Sequence, residues 1–176
     1  YDTKERRKVE LIPDHKEEIR LYICGPTVYD RIHIGNARTF ISFDTIRRYL
    51  MWKGYAVTFV QNLTDIDDKI IARANEEDMS PEEISKKYSD YFIQDMAAAG
   101  VLTPDIQPRA TREIGTMINL IARIIEKGHA YEVDGDVYFS VRSYSQYGAL
   151  SGRNIDDLEE GHRKVRSDIR GTADII

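Results

Sequence analysis

The chain has 176 residues, 41% hydrophobic and 31% charged, enough for one solid core or one domain with a small insertion. A formal net charge of −5 and a pI of about 5.4 give no overall attraction to nucleic acid, so any RNA contact needs a local basic patch. The single cysteine excludes an intrachain disulfide and a zinc site built from several cysteines of this chain. A reducing, cytoplasmic compartment is therefore expected. No apolar run approaches the roughly 20 residues needed to span a bilayer, so no membrane partner is expected. The charged start lacks a signal-peptide core. It begins at Tyr1 rather than Met, so a trimmed N-terminus is expected.

Residues 1–18 are polar, with a turn at Pro13-Asp14 and a short edge strand expected over Arg7 to Leu11. Ile19 to Ile23 runs apolar, as a buried parallel strand does. A turn rich in Gly and Pro leads through His33-Ile34-Gly35-Asn36 into a helix from Asn36 to Trp52. Its apolar residues Ala37, Phe40, Ile41, Phe43, Ile46, Tyr49 and Leu50 cover a wide face, expected to be buried against a sheet. Gly54 suits the left-handed stop, and Tyr55 to Gln61 is the next strand. Strand, helix, strand is a βαβ unit, so the fold class is α/β.

Lys69 to about Glu77 reads as a helix. Ser80-Pro81-Glu82-Glu83 is a strong helix start, and that helix runs to about Ala99, before Gly100. Pro104 and Pro108 frame a loop. Ala110 to Lys127 is a helix with Ile114, Met117, Ile118, Ile121, Ile124 and Ile125 on one side, ending at Gly128. Asp134-Gly135 joins strands Ala130 to Val133 and Asp136 to Val141 in a hairpin. Ser143 to Arg153 is loop, and Asn154 caps a short helix through Glu160. Arg163, Lys164, Arg166 and Arg170 make a basic C-terminal cluster, fit for a nucleic-acid contact or for a solvated tail.

Three constellations carry chemistry. His33-Ile34-Gly35-Asn36 lies at a strand-to-helix junction. There a glycine lets a ligand approach the backbone, a helix N-terminus favours an anion, and an imidazole can stabilise charge during attack at an α-phosphate. A surface histidine before a helix-start glycine reads equally well. Cys24 ends the first strand; it is either a structural cysteine or a soft thiolate ligand for Zn²⁺. No histidine has ligand spacing to it. Thr64-Asp65-Ile66-Asp67-Asp68-Lys69 follows the second strand. Its acids can cap the next helix or hold an ammonium group or ribose, while calcium would need a longer loop with a glycine.

These residues resemble cysteinyl-tRNA synthetase, a class I aminoacyl-tRNA synthetase. The likeness runs through Cys24-Gly-Pro-Thr-Val-Tyr-Asp30, His33-Ile-Gly-Asn36 and Asn62-Leu-Thr-Asp-Ile-Asp-Asp-Lys69. It continues in Pro104, Pro108-Arg-Ala-Thr111, Lys127-Gly-His-Ala-Tyr131, Gly135-Asp-Val-Tyr-Phe139 and Tyr147-Gly-Ala-Leu-Ser151, over about residues 1 to 161. The resemblance implies a Rossmann-like, HUP-type parallel sheet. Residues 1–95 would be the first half of the catalytic domain, and residues 96–176 the start of a helix-rich connective insertion with a β-hairpin.

The implied reaction joins L-cysteine and ATP, with Mg²⁺, into cysteinyl-adenylate and then transfers cysteine to tRNA(Cys). The implied cofactor is one Zn²⁺ that binds the substrate thiol, with Cys24 as its first ligand. A metal–thiolate contact separates cysteine from serine where a simple pocket does not. His33 and Asn36 match the family's catalytic ATP signature. Thr27, Thr39 and Thr64 match contacts to the cysteinyl part of the adenylate, and Gly25, Gly35, Asn62 and Asp65 belong to the same binding region. A monomer is expected.

The resemblance also implies what this sequence lacks: further Cys, His and Glu zinc ligands, a Lys-Met-Ser-Lys-Ser loop and an anticodon-binding domain. The stretch His162 to Ile176 departs from the family pattern. An inactive fragment of a longer enzyme is expected. The alternatives are a ligase joining cysteine to an amino sugar, a nucleotidyltransferase with no use for Cys24, and a non-catalytic binding module.

Overall fold

The computed structural model describes residues 1–13 and 17–152, in two compact units. One spans residues 12–114. The other combines residues 1–11 with those from Gly115 onward.

The first unit opens with β1 (Glu18–Ile23), α1 (Ile34–Trp52) and β2 (Ala56–Gln61). The two strands pair in parallel from Glu18↔Ala56 to Ile23↔Gln61. This is the expected α/β unit. The loop between Pro104 and Pro108 does more than connect. Residues 105–110 run beside the other edge of β2, where Gln61 N–H donates to Ile106 O at 3.1 Å and Leu63 N–H to Pro108 O at 2.8 Å. Proline's missing donor hides such a segment from sequence patterning.

α1 has the expected extent but a different buried face. Ala37, Phe40, Asp44, Arg47 and Leu50 are buried, whereas Ile41, Ile46 and Tyr49 are exposed. The buried charges are tied down. Arg47 donates to Thr103 O at 2.8 Å and to Asp105 Oδ1 at 2.9 Å, and Asp44 accepts from Leu102 N–H at 3.0 Å and from Arg48 Nε at 2.7 Å. Spacing shows which residues share a face; it does not show that the backbone of a loop, 100–105, with Asp105 will be the partner.

α2 (Asp68–Glu77) and α3 (Pro81–Ala98) follow. Asp67 caps α2, and Ser80 with Glu83 forms the expected capping box on α3. The Ser80 backbone N–H holds the Glu83 carboxyl below its ordinary range. Ile70, Ala74, Ile84, Tyr88, Phe92 and Met96 join Ile23, Val28, Phe40, Phe59 and Leu63 in one core. The boundary expected after residue 95 falls inside α3.

The helix expected from Ala110 is broken. A 3₁₀ turn covers Ala110–Arg112, and α4 begins at Ile114 and ends at Glu126. Asp65 holds the 3₁₀ turn, its carboxylate taking both the Thr111 N–H and the Thr111 hydroxyl, at 2.9 and 2.7 Å. None of the described residues covers α4 enough to bury any of its side chains.

In the second unit β3 (Ala130–Val133) and β4 (Asp136–Phe139) form the expected hairpin, with Asp134 and Gly135 both at positive φ. β4 stops before Val141, which starts a 3₁₀ turn. No edge strand forms over Arg7 to Leu11, where only an isolated Asp2↔Arg7 bridge occurs. The short helix expected from Asn154 and the basic cluster lie outside the described residues. No helix among the described residues is long and apolar enough to cross a membrane.

A charge network joins α2 to α3. Glu77 receives Lys87 Nζ, the Tyr88 hydroxyl at 2.7 Å and Arg73 Nε at 2.6 Å. Led by Lys87, these donors hold the Glu77 carboxyl down at about 2, against its ordinary 4.5, and Glu77 in turn raises Lys87. A carboxyl depressed in the folded state stabilises the fold above its unfolded pKa, and loses that contribution as pH falls through the folded value. Thermal stability should therefore fall between pH 4.5 and about 2 through this group. Glu77→Gln should lower the melting temperature at neutral pH and flatten that part of the acid profile, as calorimetry across the window would show.

Candidate active site

The site forms where the turns after β1 and β2 are sewn together. Thr27 and Thr64 make a parallel bridge, with Thr64 N–H donating to Pro26 O and Val28 N–H to Thr64 O, both at 3.1 Å. Asn62 is the hub between the two turns. Its Oδ1 accepts from Gly25 N–H at 2.8 Å and from the Tyr22 hydroxyl at 3.0 Å, and its Nδ2 donates to Thr64 Oγ1 at 3.1 Å. Lost hydration, then the neighbouring thiol, raise the Tyr22 phenol, so it stays a donor. The Tyr22 oxygen stands 3.9 Å from Cys24 Sγ.

Gly25 is set by this contact. A Cβ there would lie 1.6 Å from the Asn62 carbonyl oxygen. The glycine serves the close approach of two backbones, a role its sequence placement in a binding region did not distinguish from ligand contact.

Beyond the joined turns lies a cavity of about 340 Å³, lined by Cys24, Gly25, Pro26, Thr27, Tyr29, Asn36, Thr39, Phe40 and Lys69. Five of the expected site residues thus come together: Cys24, Gly25, Thr27, Asn36 and Thr39. Cys24 is exposed at the lip. Asn62 and Thr64 stand behind the lining and act through hydrogen bonds. Tyr29 and Lys69 line the cavity but were not singled out in the sequence; Lys69 closes the Asn62–Lys69 motif, so position in that motif was the available signal.

His33 caps α1. Its Nδ1 accepts from Gly35 N–H at 3.1 Å, and its carbonyl accepts from the N–H groups of Asn36 and Ala37, both at 3.0 Å. The helix start is thus already partly satisfied, and what His33 and Asn36 offer a ligand is their exposed side chains. Gly35 fits because a Cβ would press against the His33 ring at 2.9 Å.

Asp65 is placed elsewhere. It is buried, bonded to Thr111, and 4.0 Å from Arg109 Nη1. It lines a second cavity of about 610 Å³ together with Arg109 and Arg112.

Among the described residues no three of His, Cys, Asp and Glu stand close enough to hold a metal ion. Cys24 supplies one soft donor, while a zinc ion takes four ligands. The described residues alone therefore do not fit zinc.

Residues 10–175 match the family described as tRNA synthetases class I (C) catalytic domain. The cysteine–tRNA ligase of Lachnoclostridium phytofermentans is 54% identical over 168 residues, covering 96% of this chain and 36% of the relative. That of Lachnospira eligens is 51% identical over 174 residues, covering 99% and 37%. The chain spans about a third of the length of the curated relatives it matches. Among solved structures, Mycobacterium tuberculosis methionyl-tRNA synthetase in complex with methionyl-adenylate is similar with a TM-score of 0.64 at 16% identity, over 73% of this chain and 33% of that one. The Agrobacterium radiobacter LeuRS in its ternary complex gives 0.59 at 17%, over 68% and 16%. At these identities the likeness shows the fold alone, which is Rossmann-like.

Replacing Gly25 by Ala forces the Asn62 carbonyl aside. A loss of about 1–3 kcal/mol, the usual cost of overpacking, is expected in denaturant unfolding. Gly115→Ala, where a Cβ meets nothing within 4 Å, should cost far less.

Proposed function

The chain belongs to the family of class I (C) tRNA synthetase catalytic domains, and from this we propose that the protein activates L-cysteine with ATP and transfers it to tRNA(Cys) in the cytoplasm. In the first step a cysteine carboxylate oxygen bonds to the α-phosphorus, and the bond to pyrophosphate breaks. In the second, a hydroxyl of the tRNA's terminal adenosine attacks the carbonyl carbon, and AMP leaves.

The observation that carries the reading is the pairing of an exposed thiol with a helix start around one cavity. Cys24 lies at one side and Asn36 and Thr39, from the first turns of α1, at another. An adenylate needs both: a place for its amino acid and polar groups for its phosphate. In this reading His33 and Asn36 meet phosphate oxygens, and Gly35 keeps the helix start close to the His33 ring. Thr27 and Thr39 contact the cysteinyl part, while Asn62 and Thr64 fix the turn that carries Cys24 and Thr27. Mg²⁺ accompanies ATP as its counter-ion.

Cys24 is proposed as one donor to zinc, whose remaining ligands come from outside the described residues. Bound there, the metal would supply a Lewis-acidic partner for a substrate thiol. The half of the site described here should not aminoacylate by itself.

Cysteine-dependent ATP–pyrophosphate exchange by the full-length protein, without exchange on serine, is the expected result. Charging of tRNA(Cys), with none of an amino sugar, should accompany it. Exchange that ignores cysteine would refute the reading. Cys24→Ser should remove zinc and raise the KM for cysteine together. Unchanged zinc content in the full-length variant would show that Cys24 is not a ligand.

A further inference from the structure

Lys69 is the one charged residue among the described residues that line the Cys24 cavity. Its backbone follows the Asp67 cap, and its N–H donates to Asp67 Oδ1 at 2.9 Å. The side chain thus belongs to the first turn of α2, where the helix dipole favours anions and opposes a cation. No ion pair relieves the conflict, since no carboxylate of the described residues lies within 4.0 Å of its Nζ. The Nζ instead stands 5.3 Å from the centroid of the Tyr29 ring, another wall of the cavity. A ring face steadies a cation without neutralising it, and leaves ammonium hydrogens free for an acceptor.

We propose that Lys69 receives an anionic oxygen of the substrate in this cavity, either the amino acid's carboxylate or the nucleotide's α-phosphate. The inference rests on the adenylate reading and deepens it. Both partners of the first step are anions, and the carboxylate must approach the phosphorus against their repulsion. A cation fixed where they meet offsets that repulsion, and its effect grows as water leaves the site. The neutral remainder of the lining has no other charge for this task.

The test uses steady-state pyrophosphate exchange by the full-length protein and two variants. Lys69→Met keeps an apolar stem over Tyr29 without the charge; Lys69→Arg keeps the charge. Lys69→Met should raise a KM or lower kcat by about 10- to 100-fold, the size of a lost charge-assisted hydrogen bond. Its melting temperature should match that of the unmutated protein, and Lys69→Arg should recover most of the loss. A rise confined to the KM for cysteine assigns the carboxylate, and one confined to ATP assigns the phosphate. A fall in kcat alone places the cation at the bond being made.

Lys69→Met with unchanged KM and kcat overturns the inference, as does Lys69→Arg failing as badly as Lys69→Met. Should Lys69→Met melt lower, the unmutated protein still decides. It should bind cysteine methyl ester, or a cysteine–adenosine conjugate with an uncharged linkage, more weakly than the charged counterpart. Equal binding of both pairs overturns the inference. Absence of exchange in the unmutated protein defeats the adenylate reading as well; exchange that Lys69→Met leaves intact defeats this inference alone.

Discussion

The approach of Gly25 to the Asn62 carbonyl is the constraint on which the cavity depends. β1 and β2 are parallel neighbours, so their C-terminal turns leave the sheet side by side. Two such turns normally diverge. Here a missing Cβ and the Asn62 side chain hold them together beyond the strand ends, as far as the Thr27–Thr64 bridge. Cys24, Gly25 and Thr27 enter the cavity lining as a consequence. Without that contact the thiol and the α1 residues Asn36 and Thr39 would have no common wall.

The turn that follows is held from the other side. Arg31 pairs with Asp95 at 3.3 Å and lies 4.0 Å over the Tyr91 ring; Asp30 lies 3.8 Å from Arg73. Arg73 itself belongs to the network that joins α2 to α3 through Glu77. Asp30 and Arg31, shortly before the α1 cap, are thus braced by both later helices. Exposed ion pairs contribute little singly, but several sharing partners restrict a loop more than their number implies. The site is accordingly a strand-end turn gripped between its parallel neighbour and a helical pair.

What the sequence revealed follows the physics of each signal. β1, α1, β2 and the hairpin were legible because their apolar periods and turn residues are local properties. The capping box on α3 was legible for the same reason. The buried partners of Asp44 and Arg47 were not, because a charged residue in a helical pattern looks solvated until its partner, here residues 100–105, is known. The 3₁₀ turn at Thr111 is held by Asp65, 46 residues earlier. In the candidate site, Cys24, Gly25 and Thr27 of the motif Cys24 to Asp30 line one cavity. The sequence did not separate those that line it from Asn62 and Thr64 behind it, nor reveal that Asp65 faces elsewhere. Side-chain direction after a strand end is a tertiary property. Family resemblance carried the functional reading further than any single motif, and the match over residues 10–175 bears out its coarse form.

The His33 cap has a chemical consequence. A ring nitrogen that accepts from Gly35 N–H carries a lone pair, so the neutral imidazole bears its hydrogen on Nε2. Folding α1 thereby selects one tautomer. The opposite edge of the ring is left as a donor without a second proton being needed. Serine or asparagine at this position would start the helix as well. Neither could divide the two tasks between opposite edges of one rigid ring, with the helix start choosing which edge gives the hydrogen.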